Sequence, residues 1–349
     1  MAFFSTSHSR IDGISCVVPK KVVDNHDYDY INETERKFLM KTTGIERKRH
    51  VETGTTVLDL SKVAVERLLE KLQWKKEEVD LLVLVTQSRE YYLPSSAIIL
   101  QDKIGLPSSC MAFDIGLGCS GYVYGLSIVG QFLRSGQFKK AILVAGDVSS
   151  VSVHYEDKST YPLFGDGTSA TAISYDENAG DIFYDVQNDG ENHEAIIIRD
   201  GGAKNLFRDD SIEIKNYGEG INRSRKDLEL NGLDVFSFSI KHPPSGIKSL
   251  LEQTQIELDS IDYFVFHQAN KLIIETIRKK LKIPAEKVPY SLQEYGNTSS
   301  ASIPITICHQ LKNEASNKRF LLSGFGVGLS WAACILDTKN VICLDPIEY

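Results

Sequence analysis

The stretch DIGLGCSGY, residues 114–122, joins an apolar β-type run to a helical pattern. Cys119 lies at this junction, so its thiol is expected at a helix N-terminus, where the helix dipole and free backbone amides stabilise a thiolate. The small residues on either side of Cys119 allow a substrate to approach the backbone closely. The stretch predicts a nucleophilic cysteine, and the alternative is a small buried residue at a tight turn.

Strand-like and helical patterns alternate along most of the chain, which is typical of an α/β fold. Two parts of the chain also repeat the same landmarks in the same order. Cys119 follows Asp80 by 39 residues, and Asn297 follows Asp262 by 35. The further matching landmarks are Gly146 with Gly324, and residues 167–173 with residues 328–335.

This spacing predicts an internal duplication with a boundary near residue 180. Residues 1–180 would form the half that carries Cys119, and residues 181–349 the half that carries His267 and Asn297. Two unrelated α/β halves are the alternative. If the halves are duplicates, Cys119 and Asn297 occupy equivalent strand-to-helix turns and meet at a pseudo-twofold axis. Residues 188–234, rich in Asn, Asp, Gly and Arg, are expected to form a long loop that covers a site or an interface.

His267 and Asn297 each stand in a short polar motif. His267 follows the apolar run 263–266 in YFVFHQAN, so it is expected at the carboxyl end of a buried strand, where α/β sheets place their active sites. Asn297 stands in EYGNTSSAS. A hydrogen-bonded core histidine and a helix-capping asparagine are the alternatives for the two residues taken singly.

Together these motifs resemble the thiolase-fold condensing enzymes, and specifically the β-ketoacyl-acyl carrier protein synthase III family. The resemblance extends over nearly the whole chain and is most specific at the histidine and asparagine motifs. It implies a five-layer αβαβα fold, a homodimer and a Cys-His-Asn active site. The matching segments are Gly13, Pro19, Asn25 and residues 43–45, 114–122, 164–167, 267–270, 296–299 and 325–331.

The resemblance implies a decarboxylative condensation, as a 3-oxoacyl-[acyl-carrier-protein] synthase catalyses in fatty-acid or specialised-product biosynthesis. Cys119 would take an acyl primer from a thioester and hold it covalently. Malonyl-acyl carrier protein would then lose carbon dioxide, and the N–H donors of His267 and Asn297 would stabilise the enolate. Substrates would be carried on coenzyme A or phosphopantetheine, and no metal or redox cofactor is needed.

The segment 325–328 is implied to serve both steps. Backbone amides of Cys119 and of this segment, which contains Gly326 and Val327, would bind the oxyanion of the acyl transfer. Phe325 would gate the malonyl pocket, or it belongs to the core.

Four positions bear on the primer. The family commonly has a tryptophan and an arginine that sandwich the adenine of coenzyme A, and Phe38 and Thr42 stand there instead. Lys158 matches a basic residue at the same entrance. Because Thr42 supplies no cation, acetyl-CoA is expected to be a poor primer, and an acyl carrier protein or another acyl-CoA the donor. Leu93 matches a residue that closes the acyl pocket across the dimer, so its small side chain would admit a longer or branched primer.

A basic helix follows His267. Lys271, Arg278 and Lys282 are spaced to share one face, with Lys279 and Lys280 beside them. Such a face suits an acidic carrier protein at the tunnel mouth. A solvated helix face is the alternative.

Composition narrows the remaining possibilities. The chain has 349 residues, with 39 Lys and Arg against 47 Asp and Glu, a balance that argues against nucleic-acid binding. No signal peptide or stretch of about 18 apolar residues is found, so no membrane span is expected. The cysteines lack metal-type or disulfide spacing, which indicates a reducing cytoplasm. They are Cys16, Cys110, Cys119, Cys308, Cys334 and Cys343.

Three other functions are compatible with parts of the pattern. A related acyltransferase would move the acyl group from Cys119 to an alcohol or amine without decarboxylation. A papain-like hydrolase also orders Cys, His and Asn along its chain, but the aromatic neighbour of its cysteine is missing here. A non-catalytic subunit of a synthase pair would carry an incomplete site, and this site is complete.

Overall fold

The computed structural model describes residues 2–349, and it combines helices with strands, as the α/β prediction requires. The helices are α1 (Glu33–Thr43), α2 (Val57–Leu72), α3 (Ser96–Ile104), α4 (Gly121–Arg134), α5 (Gly232–Thr254), α6 (Lys271–Leu281), α7 (Leu292–Tyr295) and α8 (Ser302–Gln310). The strands are β1 (Ala2–Thr6), β2 (Ser9–Val18), β3 (Val22–Asp24), β4 (Arg47–Arg49), β5 (Leu81–Val85), β6 (Met111–Ile115), β7 (Lys140–Asp147), β8 (Gly167–Tyr175), β9 (Ile182–Asn188), β10 (Ile196–Ile197), β11 (Lys215–Asn216), β12 (Asn222–Arg223), β13 (Glu229–Leu230), β14 (Tyr263–Phe266), β15 (Arg319–Gly326), β16 (Ser330–Asp337), β17 (Ile342–Cys343) and β18 (Ile347–Glu348).

Two mixed sheets form the framework. The first has the order β17-β2-β8-β7-β5-β6, with β18 also paired to β2, and the second has the order β1-β9-β16-β15-β14. Helices α4 and α8 lie between the sheets, α2 and α3 cover the first sheet, and α5 and α6 lie outside the second. The result is the five-layer αβαβα arrangement of the thiolase fold.

The two sheets share a pairing pattern. In the first, β2, β8 and β7 pair antiparallel in turn, and β7 pairs parallel with β5. In the second, β9, β16 and β15 do the same, and β15 pairs parallel with β14. The chain ends cross over, because β1 joins the second sheet while β17 and β18 join the first. The common pattern supports the predicted duplication, and its boundary near residue 180 stays a prediction.

The central helix α4 fits tightly against the first sheet because it presents glycines to it. A Cβ atom on Gly121 would lie 2.4 Å from Val85 Cγ1, and one on Gly125 would lie 2.6 Å from Leu143 Cδ1. Real Cβ atoms do not approach other heavy atoms so closely. The small residues after Cys119 therefore bring the start of α4 against strands β5 and β7, which fixes the position of the thiol.

A buried lysine, Lys48 on β4, lies beneath the segment that carries Asn297. Its Nζ donates to Asn25 Oδ1 at 2.7 Å and lies 4.8 Å from the centre of the Tyr161 ring. Its Cβ is the neighbour that a side chain on Gly296 would meet at 3.1 Å. Burial lowers the pKa of Lys48 to about 7, since the charged form loses its hydration.

This depressed pKa predicts a stability that depends on pH. Between about pH 7 and the ordinary lysine value near 10.4, the unfolded chain binds the proton and the folded protein does not, so the free energy of unfolding rises with pH. The contribution is of the order of 3 kcal/mol. Lys48→Met should remove it, as measured by urea unfolding of both proteins at pH 7 and pH 10. The same difference between the two proteins at both pH values would contradict the buried, neutral lysine.

Candidate active site

Cys119 lies immediately before α4 and is buried, with 8% of its surface exposed. The end of β15 approaches it closely. A Cβ atom on Gly324 would lie 2.6 Å from the Cys119 carbonyl oxygen, and one on Gly326 would lie 2.8 Å from Sγ. Val327, the next residue of this turn, lines the same cavity as the thiol. The nucleophile of the first half is therefore held against a turn of the second.

His267 directly follows β14, as predicted, and is almost fully buried. Its Nδ1 lies 2.8 Å from Ser302 Oγ, which also accepts from the backbone N–H of Gln268 at 3.3 Å. If the Ser302 hydroxyl donates to Nδ1, the ring proton stands on Nε2, and this is the tautomer that an enolate would need. Burial lowers the pKa of His267 to about 3, so the imidazole is neutral at physiological pH.

Asn297 is fixed by backbone contacts to the first half. Its N–H donates to the Leu163 carbonyl at 2.9 Å, and its carbonyl accepts from Gly165 at 3.0 Å. The side-chain Oδ1 accepts from the backbone N–H of Ser299 at 2.9 Å. With Oδ1 held in this way, the NH₂ group of Asn297 is the part of the side chain that can meet a bound substrate.

A single cavity of about 540 Å³ brings Cys119, His267 and Asn297 together. Phe325, Gly326 and Val327 line it as well, and the Phe325 ring meets the His267 ring edge-on with centroids 5.7 Å apart. Phe325 is 1% exposed and packs in the outer apolar cluster of the second half. The structure therefore unites the predicted catalytic residues and the predicted oxyanion turn.

Burial of Cys119 acts against the expected thiolate. The pKa of the Cys119 thiol is raised to about 11, mainly by burial and to a lesser extent by the nearby Asp147 carboxylate. The N–H of Val327, the hydroxyl of Ser299 and the amide of Cys119 lower this pKa, but they do not offset the burial. The stabilisation of a Cys119 thiolate by the helix N-terminus stays a prediction.

The predicted entrance residues lie outside the cavity wall. Phe38 on α1 is 69% exposed, and Lys158 pairs with Glu35, its Nζ 3.4 Å from the carboxylate. Among the described residues the wall includes Thr43 and Ser159, the neighbours of Thr42 and Lys158. The entrance roles of Phe38, Thr42 and Lys158 stay predictions.

Leu93 and the basic helix are also placed by the structure. Leu93 is 81% exposed, in a surface segment before α3. Lys271 begins α6 between Asn270 and Leu272, which both line the cavity. Arg278 is occupied, since its guanidinium binds Glu275 at 3.0 and 2.9 Å and the Ile283 carbonyl at 2.8 Å. The other basic residues, Lys279, Lys280 and Lys282, lie exposed at the far end of the helix.

Sequence reasoning missed part of the cavity wall and two polar residues. The segment 188–234 supplies apolar wall residues from around the short β10–β13 pair, and the signal was their apolar character in an otherwise polar stretch. Asp147 and Ser299 also line the cavity; nothing in the spacing marked Asp147, and Ser299 lay within the matched segment 296–299 without a role of its own. The missed apolar residues are Ile196, Ile198, Leu228 and Leu230.

Fold and site together define a condensing enzyme of the thiolase type. The family profile described as 3-oxoacyl-[acyl-carrier-protein] synthase III matches residues 113–190, and its C-terminal counterpart matches residues 251–338. A β-ketoacyl-[acyl-carrier-protein] synthase III from Clostridium perfringens is 33% identical over 94% of this chain and 99% of its own. The one from Clostridium acetobutylicum is 33% identical over 94% and 98%.

Solved structures agree. A 3-oxoacyl-(acyl-carrier protein) synthase from Burkholderia xenovorans has a TM-score of 0.93 at 34% identity, covering 99% of both chains. A synthase III from Aquifex aeolicus has a TM-score of 0.81 at 28% identity, covering 94% of this chain and 99% of its own. The chain belongs to the β-ketoacyl-[acyl-carrier-protein] synthase III family.

Proposed function

We propose that this protein condenses a Cys119-bound acyl primer with malonyl-acyl carrier protein, releasing carbon dioxide and forming a 3-oxoacyl-acyl carrier protein in fatty-acid or specialised-product biosynthesis. The observation that carries this proposal is the one cavity lined by a thiol, a neutral imidazole and a carboxamide. The five-layer fold argues against the alternative of a papain-like hydrolase. No metal or redox cofactor takes part in the proposed steps, and the acyl groups arrive on coenzyme A or phosphopantetheine.

The first step is transfer of the primer to Cys119. The sulfur attacks the thioester carbonyl, whose oxygen becomes negative in the tetrahedral intermediate. A Cβ atom on Gly326 would lie 2.8 Å from the sulfur, so the backbone amides of Cys119 and of the 325–328 turn are close to where this charge develops. The acyl-enzyme keeps the primer covalently bound while the first carrier leaves and the malonyl carrier enters.

The second step is decarboxylation and attack. Loss of carbon dioxide leaves negative charge on the malonyl thioester oxygen. The Nε2–H of His267 and the NH₂ of Asn297 are neutral donors fixed by Ser302 and Ser299, so they stabilise this charge without rearranging. Each such donor contributes about 10²–10³ in rate. The resulting carbanion attacks the acyl-cysteine and releases the sulfur.

Carbon dioxide release tests the decarboxylation directly. With malonyl-acyl carrier protein labelled at the free carboxyl, the native enzyme should release labelled carbon dioxide together with 3-oxoacyl product. His267→Ala and Asn297→Ala should each lower that release about 10²–10³-fold, while primer loading on Cys119 continues. Acyl transfer to an alcohol or amine with no labelled gas would identify the acyltransferase instead.

The neutral state of His267 gives this step a pH signature. Since its pKa is about 3 and the neutral ring is the donor, His267 is fully competent above about pH 5. The decarboxylation rate should therefore show no inflection from His267 between pH 5 and 8. An inflection near pH 6.5 that disappears in His267→Asn would contradict the buried neutral imidazole.

The acyl carrier protein is proposed to dock at the start of α6. Lys271 stands exposed at the cavity mouth, whereas Arg278 is held by Glu275 and so cannot reach a partner without losing that pair. Of the basic residues of α6 that were predicted to form the docking surface, the proposal therefore keeps only Lys271. The chemistry fits, because a carrier protein that is acidic would meet a lysine beside the path of its phosphopantetheine arm.

Lys271→Glu should raise the KM for malonyl-acyl carrier protein about fivefold, with little change in kcat. The matched control is Lys248→Glu, which makes the same charge change on the exposed side of α5. With malonyl-pantetheine as substrate, both variants should resemble the native enzyme. An equal rise in KM for the carrier-bound and the pantetheine substrate would contradict docking at Lys271.

The proposal also includes the primer, the oligomeric state and the cellular location of the protein. Exposed Tyr91, Tyr92 and Leu93 lie before α3, near the edge strand β6 of the first sheet, which suits a homodimer in which Leu93 closes the partner's acyl pocket. Thr42 offers no cation to coenzyme A, which favours a primer other than acetyl-CoA. All six cysteines are free thiols, as a reducing cytoplasm keeps them. In residues 2–349, none of the helices has the length and apolar character needed to cross a membrane.

A further inference from the structure

Part of the apolar wall of the cavity belongs to a segment that neither main sheet holds. This wall segment, residues 188–234, contains β10 to β13, which form two separate two-stranded sheets. Leu228 and Leu230, at β13, line the cavity. Because an isolated pair of short strands is only marginally stable in water, the position of this wall depends on what else the wall segment contacts.

The wall segment contacts residues 152–159, which belong to the predicted first half. The N–H of Leu228 donates to the Ser152 carbonyl at 2.6 Å, and the N–H of Asn222 donates to the Glu156 carbonyl at 3.0 Å. Ser152 lines the cavity together with Leu228. The two segments therefore form one continuous wall, and a gap between them would widen the cavity.

A buried ion pair lies at this junction. Arg223 Nη1 is 3.3 Å from Asp157 Oδ2, and the two side chains are 9% and 0% exposed. The other carboxylate oxygen of Asp157 accepts from the N–H of Ser159 at 2.8 Å, and Ser159 lines the cavity. The ion pair thus connects the wall segment to the part of the cavity wall that the first half supplies.

Arg223 also contacts the strands beside the cavity. Its Nη2 lies 3.5 Å from Glu229 Oε2, and Arg199 donates to the two Glu229 oxygens at 2.8 Å each. Glu229 is on β13 and Arg199 follows β10, so the network reaches both strands of this pair. The Tyr217 ring lies over the Arg223 guanidinium, with its centre 4.4 Å away. A planar guanidinium can meet two carboxylates and a ring at the same time, and a lysine ammonium group lacks this geometry.

The burial of both charges indicates that the pair affects the geometry of the wall more than the stability of the fold. Removing an arginine and a carboxylate from water costs free energy that offsets their attraction, so replacing both with uncharged residues is often close to neutral for folding. The charge-assisted hydrogen bond is directional and fixes how closely the two segments approach. Loss of the pair should therefore change the cavity and leave the fold intact.

We propose that Arg223 is a positioning residue, whose ion pair with Asp157 holds the wall segment against residues 152–159 and sets the width of the cavity that binds the primer. Arg223 is not among the described residues that line the cavity, so it acts through Leu228 and its neighbours. A loosened wall loses apolar contacts to the ground state and the transition state alike, which weakens binding and not the chemical step. This inference rests on the proposed acyl transfer to Cys119.

A double substitution tests the positioning role without leaving a buried charge unpaired. In Asp157→Asn/Arg223→Met, the KM of primer loading should rise about tenfold, while the loading rate at saturating donor should change less than threefold. Loading is measured by quenched flow and intact-protein mass, with the donor that acylates the native enzyme. The unfolding temperature should change little, so the rise in KM is a readout that a merely structural role would not give.

The matched control is Asp200→Asn/Arg225→Met. This pair also joins an arginine to a carboxylate whose side chain is 0% exposed, at 2.8 Å, but both residues lie within the wall segment. Since the control leaves the junction with residues 152–159 intact, its KM for the donor should equal the native value. A rise as large as that of the Asp157 and Arg223 variant would overturn the specific role of Arg223.

Arg223→Lys is a second test, which keeps the positive charge and decides the question even if the double variant does not fold. The lysine can meet Asp157 or Glu229 but cannot hold both in the native geometry, so the KM of primer loading should rise about threefold. A native KM in either Arg223 variant would overturn the proposal. If the native enzyme acquires no acyl mass on Cys119 from any donor, the proposed function itself fails.

Discussion

Cys119→Ala should abolish primer loading and lower condensation by about 10⁴-fold or more, because Cys119 is the only thiol among the described residues that line the cavity. Decarboxylation of malonyl-acyl carrier protein should continue, since the positions of His267 and Asn297 do not depend on the Cys119 side chain. They are held by Ser302 and Ser299 instead. The variant therefore separates the two half-reactions that the native enzyme couples.

Intact-protein mass spectrometry checks the first half. Native enzyme incubated with a panel of acyl-CoA and acyl-carrier donors should gain the mass of the preferred acyl group, and Cys119→Ala should gain none. The identity of the productive donor also tests the expectation drawn from Phe38 and Thr42. An acyl mass that persists in Cys119→Ala would move the nucleophile to another residue and remove the proposed mechanism.

Gly326→Ala should lower primer loading about 10³-fold. The added methyl would stand 2.8 Å from Cys119 Sγ and 2.9 Å from its Cβ, inside the distance at which atoms repel. Cys119 has little freedom to move away, because its carbonyl oxygen packs against Gly324. A Cβ atom on Gly324 would lie only 2.6 Å from that oxygen. The displaced sulfur would lose its alignment with the oxyanion donors, and small misplacements of reacting groups cost large factors in rate.

The control for this prediction is Gly180→Ala, at an exposed position where a Cβ atom would meet nothing within 4 Å. It should load primer at the native rate and unfold at the native temperature. Gly326→Ala should lose primer loading to a greater extent than stability. Overpacking of this kind lowers the free energy of unfolding by about 1–3 kcal/mol. Native loading by Gly326→Ala would show that β15 is farther from the thiol than the structure has it.

Much of the fold and the catalytic residues could be predicted because each leaves a local mark. The position at the end of a buried strand indicated His267, and the glycine-rich turn before an apolar helix indicated Cys119. The family resemblance then implied the five-layer arrangement, which the two sheets and the helix layers bear out. The crossing of β1 and β17 into the opposite sheets left no such mark, because strand pairing depends on partners far along the chain.

The sequence by itself determined which residues are proposed to carry the chemistry, since motif and spacing are properties of neighbouring residues. Only the tertiary structure decided their protonation states, because the raised pKa of Cys119 and the lowered pKa of His267 come from burial by distant segments. It also decided that Arg278 is bound to Glu275 while Lys271 is free at the mouth. Asp147 and Ser299 became visible in the same way, since desolvation and hydrogen bonding depend on what surrounds a group in three dimensions.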